Sequence, residues 1–422
     1  MASPRDGREI EWLLAPVELS RFFEAHWGRA PLHVSGGRDK AGGLYDPARF
    51  WEGTHVRALE AAICDEDGVQ HQLPLEPADM RARYAAGWTL CGDVSHDPSL
   101  APRLAAIRES LRLVGGDAFA KVYASSGGRG FSLHTDAHHV FVLQLAGRKR
   151  WRFSATPVRS APLVGSALDR NGVPIDTHPA HGRRMTDDAG QPVRAPAIDD
   201  LDEAVLEEGD VLYLPPGTWH LARAIGSSVA LSISPPRAPA SSVVLELIRE
   251  HLESDAEWRH DVAVPPYEHP RSGDGFPTVS RLLRERVGAL AEQLASIDPR
   301  VLQRMWHAAL GRGQAPAART AVPDAALRRL ERTDVLERVG IGPLPHFLSA
   351  PDAAGAQHVL FYHGGSEWTF PAEALQFVEA LAEARRFRAS DTLEWDSTLS
   401  WDDARETLTE LLRAGVVRYA DE

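Results

Sequence analysis

Three polar residues on two separated stretches carry the chemistry available to this sequence. His134 and Asp136 stand two apart in Phe131-Ser-Leu-His-Thr-Asp136. In extended backbone, residues two apart project to the same face of a strand. An imidazole and a carboxylate so placed are two arms of a metal site. The third arm is His220, at the end of Gly209-Asp-Val-Leu-Tyr-Leu-Pro-Pro-Gly-Thr-Trp-His220, where a short apolar strand runs into a Pro-Pro-Gly turn. Two imidazoles and one carboxylate leave the rest of a metal's coordination sphere open, the arrangement used by non-haem Fe(II) oxygenases. Zinc held by the same set is the competing assignment. Lys149 stands out for another reason. Lysine occurs only at Lys40, Lys121 and Lys149, and arginine supplies nearly all other positive charge. An ammonium between Arg148 and Arg150 suggests that a compact cation is wanted there.

The elements that must position these residues follow from hydrophobic period. Phe131 to Phe153 reads as two strands joined at Gly147. The first continues as the apolar run Val140 to Leu145, as in a buried strand. The second alternates, with Arg148, Arg150 and Arg152 on one face and Lys149, Trp151 and Phe153 on the other. Further strands are expected at Ala118 to Ser125, carrying Tyr123, and at Ser228 to Ser234. Residues 9 to 28 carry helical apolar spacing at Leu19, Phe22, Phe23 and Trp27, with Gly28 as a stop and a strand after it. Residues 154 to 200 hold no sustained period and read as a long loop; long loops in compact domains are functional or disordered. Its His178 and His181 are expected to be solvated rather than ligands.

At this point the chain resembles a known family. Gly-x5-Pro-x-Gly-x2-His, from Gly209 to His220, is similar to the second cupin signature. Gly128-x5-His134-x-Asp136 is similar to the first, with Asp in place of its second His. Together they resemble the JmjC subgroup of 2-oxoglutarate oxygenases. Leu19-x2-Phe-Phe-x3-Trp-x3-Pro-Leu32 and Gln144-Leu-Ala-Gly-Arg-Lys-Arg-Trp-Arg152 resemble its ribosomal-oxygenase branch. The resemblance implies an α+β fold: a double-stranded β-helix barrel of cupin/JmjC type, then a helical dimerisation segment and a C-terminal winged-helix-like domain. It implies His134, Asp136 and His220 as ligands of Fe(II), with 2-oxoglutarate and O2 as cosubstrates and succinate and CO2 as products. By the same resemblance Lys149 holds the far carboxylate of 2-oxoglutarate, while Tyr123 and Ser234 hydrogen-bond it. Two departures touch that pocket: the family's Asn two residues before the tyrosine is Lys121 here, and the loop from Tyr123 to His134 is one residue short. His138 and His139 are expected to be barrel-wall residues.

Composition bounds the rest. The chain has 422 residues and a net charge of −13, enough length for two or three domains and a balance suited to a basic partner rather than to nucleic acid. The divisions expected are 1–237 for the catalytic domain, 238–320 for the helical segment and 321–422 for the last domain. Two cysteines, Cys64 and Cys91, give no disulfide framework and no thiolate zinc cluster. No apolar run approaches membrane-spanning length and the first residues lack a signal peptide's apolar core, so a cytoplasmic protein is expected. Val244, Leu245, Ile248 and Leu252, then Val279, Leu282, Leu283, Val287, Leu290 and Leu294, recur at helical spacing; the stripes point to a homodimer. Beyond Ala321 a helix over 325–338, a strand at His358–Tyr362, helices over 371–388 and 402–413 and a final β segment are expected. That stretch has ten arginines, no lysine and eighteen acidic residues, so it lacks a nucleic-acid footprint.

The function expected is hydroxylation of an Arg or His side chain in a ribosomal protein. A second reading keeps the chemistry but takes another peptide, such as a ribosomally made natural-product precursor. N-methyl-lysine demethylation ranks lower, for want of reader-like context. A different class is a non-catalytic cupin-like scaffold, which loss of a triad member would have signalled; none is lost.

Overall fold

The computed structural model describes residues 9–64, 70–111, 113, 116–177, 183–237, 239–253, 255–261, 277–297, 302, 305, 306 and, with short gaps, 327–420. The chain divides into two compact units, Met1–Arg237 with Ile341–Pro343 and Ala238–Gly340 with Leu344–Glu422. Among the described residues no helix is long and apolar enough to cross a membrane.

The first unit is built on a large antiparallel sheet. Its strands are β1 (Leu32–Val34), β2 (Arg57–Cys64), β3 (Gln70–Pro74), β4 (Thr89–Asp93), β5 (Phe119–Ser125), β6 (His134–Thr135), β7 (Val140–Phe153), β8 (Ser166–Leu168), β9 (Pro174–Asp176), β10 (Asp202–Leu206), β11 (Val211–Leu214) and β12 (His220–Ser234). They pair in the order β1-β11-β7-β12-β5-β4-β2-β3, with β10 also on β7, and β6 linking β12 to β8 and β9. Two long strands, β7 and β12, form the spine and pair along most of their length.

The apolar run Val140 to Leu145 is buried throughout, because β11 and β12 cover its two edges. The expected break at Gly147 does not occur: Val140 to Phe153 is one strand of 14 residues. Gly147 instead opposes a register shift in β12 between Ile225 and Ser228. Its φ of +65° and the Ser227 carbonyl, 1.9 Å from where a Cβ would sit, leave room for glycine alone. A bulge absorbs the irregularity and pairing continues.

Helix Leu19–Ala25 plugs the barrel's outer side with Phe22, which is fully buried and meets Tyr213 edge to face at 4.8 Å. The expected single helix over residues 9 to 28 is two, Glu9–Leu14 and Leu19–Ala25, since Pro16 lacks the N–H to continue the first. Residues 154 to 200 are not a structureless loop. They contain β8, β9 and a small core in which Met185 and Val193 pack with Leu133, Leu201, Trp219 and Leu221. His178 and His181 lie outside the described residues.

The second unit has helices Ala240–Glu253 and Pro277–Ser296. It also has two three-stranded sheets. Strands β13 (Val335–Arg338), β17 (Arg386–Arg388) and β18 (Val417–Tyr419) form one, and β14 (His346–Leu348), β15 (His358–His363) and β16 (Ser366–Pro371) the other. Helices Leu375–Glu383 and Trp401–Arg413 complete the unit's core. Two expected helices are corrected. Residues 335–338 form a strand because Asp334 closes a turn on the Glu331 N–H, and Val335 to Arg338 then pair with β17 and β18. The helix over 371–388 is shorter, with strand β16 before it and β17 after it. Tertiary pairing outweighs local helix preference at both places. The turn at Gly364-Gly365 lies outside the described residues.

Candidate metal centre

Strand pairing brings the two histidines together. His134 on β6 lies directly opposite His220 on β12, and their rings are 4.2 Å apart. Asp136 follows β6 in the turn toward β7. Its carbonyl accepts the Gly217 N–H at 2.8 Å, which fastens the Pro-Pro-Gly turn ahead of His220 to the turn carrying the carboxylate. Asp136 Oδ2 is 3.5 Å from His220 Nε2 and 4.0 Å from His134 Nε2. One ligand atom from each residue lies within 4.8 Å of the others, and among the described residues this is the group arranged to hold a metal ion.

The backbone fixes which nitrogen each ring offers. His134 Nδ1 lies 2.7 Å from the Ser132 carbonyl and His220 Nδ1 lies 2.9 Å from the Thr218 carbonyl. A carbonyl oxygen only accepts, so each Nδ1 carries the proton and each Nε2 presents its lone pair to the site. Burial pushes His220 down to about 4, with His134 beside it acting the same way. It is therefore neutral near pH 7, as a ligand must be. Burial alone would raise the Asp136 carboxyl, but the His134 and His220 rings outweigh it and hold it below the usual carboxylate range.

The triad opens on a cavity whose lining includes Val140 and Val142. Lys149 lines it from the next strand, with Tyr123, Phe131 and Trp151 around it; Ala222, Ala230 and Ser232 keep β12's wall low. Lys149 is 2% exposed. Its ammonium donates to Ser125 Oγ at 3.3 Å and lies 5.8 and 6.0 Å from the ring centres of Tyr123 and Trp151. Among the described residues no carboxylate pairs with it. Burial lowers it to about 8, as expected for a desolvated ammonium. Burial also raises Tyr123 well above its ordinary value, so its hydroxyl stays a donor.

Of the remaining expected site residues, Tyr123 is on the cavity wall. Ser234 shares the inward face of β12 with Ala230 and Ser232 by alternation, but Ser232 lines the cavity, while Ser234 is fully buried and its hydroxyl has no partner among the described residues. His139 is a wall residue: it stacks on Trp27 at 3.7 Å and bonds the Tyr213 hydroxyl. His138 packs against Phe119 and is outside the ligand cluster. The sequence reading missed Ser125 and Thr89. Thr89 donates to Ser125 Oγ at 3.1 Å. The signal was present, since Ser125 alternates with Tyr123 on one face of β5.

Comparison with known proteins agrees with this geometry. Residues 99–243 match the JmjC domain family. The chain carries a JmjC domain. The uncharacterized protein YxbC of Bacillus subtilis is 25% identical over 262 residues, 59% of this chain and 77% of YxbC. The ribosomal protein uL16 3-hydroxylase of Escherichia coli is 27% identical over 221 residues, 50% of this chain and 51% of that one. The chain thus spans about half of that enzyme and 35% of the bifunctional lysine-specific demethylase and histidyl-hydroxylase NO66 of Drosophila mojavensis, to which it is 27% identical. The crystal structure of the E. coli ribosomal oxygenase YcfD matches 96% of this chain and 98% of its own, with a TM-score of 0.52 at 20% identity. Its complex with cobalt and 2-oxoglutarate matches with a TM-score of 0.50. These likenesses establish a shared fold around the JmjC domain.

Proposed function

We propose that this protein is an Fe(II)- and 2-oxoglutarate-dependent oxygenase that hydroxylates an amino-acid side chain of a ribosomal protein. The observation that carries the reading is Lys149. A buried cation without a carboxylate partner is costly to a fold, and here it stands in the cavity that the triad opens on. A dicarboxylate answers both ends: one carboxylate neutralises the ammonium while the other end reaches a metal. The donor set fits the metal, since two neutral imidazole nitrogens and an ionised carboxylate suit Fe(II) with open positions.

His134, Asp136 and His220 would hold Fe(II), which when bound activates O2 at the expense of 2-oxoglutarate. The chain's own residues do the rest. Ser125 and Lys149 hold the far carboxylate, Tyr123 donates a hydrogen bond beside it, and Phe131 and Trp151 exclude water, so that the cosubstrate sits in one orientation. Ser234 is assigned a supporting bond by the family resemblance alone, since Ser232 rather than Ser234 lines the cavity. The substrate is a basic protein or peptide, to which an acidic protein is electrostatically suited; the residue modified is Arg or His. E. coli's uL16 3-hydroxylase bears the name of a ribosomal substrate, which supports that class. The protein is taken to act in the cytoplasm, without direct nucleic-acid contact. A peptide natural-product precursor is the alternative substrate. A non-catalytic scaffold is disfavoured, because the triad is complete. The deciding experiment is metal analysis of the isolated protein with 2-oxoglutarate turnover: stoichiometric iron and succinate formation are expected, and zinc with no turnover would overturn the reading.

The assembly proposed is a homodimer with a catalytic domain over 1–237, a helical dimerisation segment over 238–320 and a winged-helix-like domain over 321–422. Val244, Leu245, Leu283 and Val287 are exposed, from 50 to 65%, on the two helices of that segment. Apolar surface of this kind on a soluble protein marks an interface, and a twofold dimer needs only one self-complementary patch. Light scattering at micromolar concentration is expected to give twice the chain mass of 46.2 kDa. Leu283→Arg with Leu290→Arg is expected to give a soluble monomer; a double variant that stays dimeric moves the interface elsewhere.

A further inference from the structure

We propose that Lys121 sets the charge of what the metal pocket accepts, selecting against a cationic side chain on the residue presented to the metal. This deepens the reading above and rests on it. Lys121 lies on β5 two residues before Tyr123, so both project to the same, cavity-facing side. Directly across it on β12 is Ser232, a residue of the cavity wall. Lys121 is half-buried, and among the described residues its ammonium makes no hydrogen bond and no ion pair. Asp93, its partner across β4, accepts instead from the Ser95 N–H. Phe119, two residues earlier on the same face of β5, packs against His138, which stands two residues from Asp136. Arg237, just beyond β12, donates its guanidinium to the Leu163 carbonyl at 2.9 Å. A protein of net charge −13 thus turns positive charge toward its metal pocket.

The consequence for substrate choice is direct. A guanidinium or ammonium entering beside Asp136 meets like charge in a half-buried setting, where repulsion is screened far less than in water. A neutral side chain pays no such penalty, and an acidic one gains. The class of residue that fits is therefore neutral or acidic. Between the two candidates above, the neutral imidazole of His fits and the guanidinium of Arg does not. A basic protein can still dock on the acidic surface while presenting a neutral residue to the site.

The test compares the full-length protein with Lys121→Met and Lys121→Glu, after circular dichroism shows equal folds. Calorimetric titration with Co(II) reads the field without any turnover. Lys121→Met should tighten the metal several-fold and Lys121→Glu further, because a cation facing a divalent ion is removed and then reversed. Equal affinity in all three proteins overturns the proposal. The second arm incubates a mixture of ribosomal proteins with the iron-loaded protein and 2-oxoglutarate and maps oxidation by mass spectrometry. Modification of neutral or acidic side chains is expected, with Lys121→Glu shifting it toward Arg and Lys. Wild-type modification of Arg or Lys overturns the proposal. If no ribosomal protein is modified, the substrate reading fails on its own, and the Co(II) titration still decides whether Lys121 acts on the site.

Discussion

His134→Ala and Asp136→Ala are each expected to abolish succinate formation while leaving the fold intact by circular dichroism. Each of the three would contribute one protein bond to the metal, and the structure has no described group positioned to replace it. Loss of an outer-shell partner alone costs about 10–100-fold in metal affinity or activity, and loss of a ligand should exceed that. His220→Ala should behave alike. The fold should survive because His134 is on a two-residue strand and Asp136 in a turn, so their side chains carry little core packing. His138→Ala provides the control: it is adjacent in sequence but packs on Phe119, and near-normal turnover is expected. Iron content by elemental analysis and succinate by NMR read the result. Full activity in the His134 or Asp136 variant would remove the triad.

Lys149→Ala is expected to raise the 2-oxoglutarate KM with much less effect on iron affinity. A charge-assisted hydrogen bond is worth roughly 1.5–3 kcal/mol, which corresponds to about 10–150-fold in KM. The wild-type protein should also show a pH dependence of fixed sign. Burial lowers Lys149 to about 8, so the cation is present below that pH and lost above it. KM for 2-oxoglutarate should therefore climb as pH rises through 8, and the bound dianion, by favouring the ammonium, should move the inflection upward. In Lys149→Ala that inflection should vanish. A KM unchanged by the substitution, or an inflection that persists in the variant, places the cosubstrate elsewhere.

The clustering of His134, Asp136 and His220 was legible because its logic is local. A two-residue spacing on extended backbone and a Pro-Pro-Gly turn before a histidine determine where side chains point without reference to the rest of the chain. Lys149 was legible from alternation. What the sequence hid depends on partners far away. Gly147 looked like a turn because nothing local reveals that β12 carries a bulge opposite it. Residues 335–338 looked helical because their strand partners are about fifty and eighty positions downstream. Ser125 was passed over although it shares Tyr123's face of β5, because as the strand's last residue it read as the start of the glycine-rich loop. The 154–200 stretch lacked period because its strands are only three residues long, too short for alternation to register.

That stretch also ties local opening to ligand loss. β6, the strand of His134, is held on one edge by β12 and on the other by β8, and Gly165 leaves β8 room by packing on the Thr135 carbonyl. A two-residue strand has too few hydrogen bonds to persist alone. Opening of β8 and displacement of the proposed ligand His134 are thus expected as one cooperative event rather than two. Amide exchange in β8 and the off-rate of the metal report the same opening, and a ligand that orders this segment from outside would slow demetallation without touching the centre.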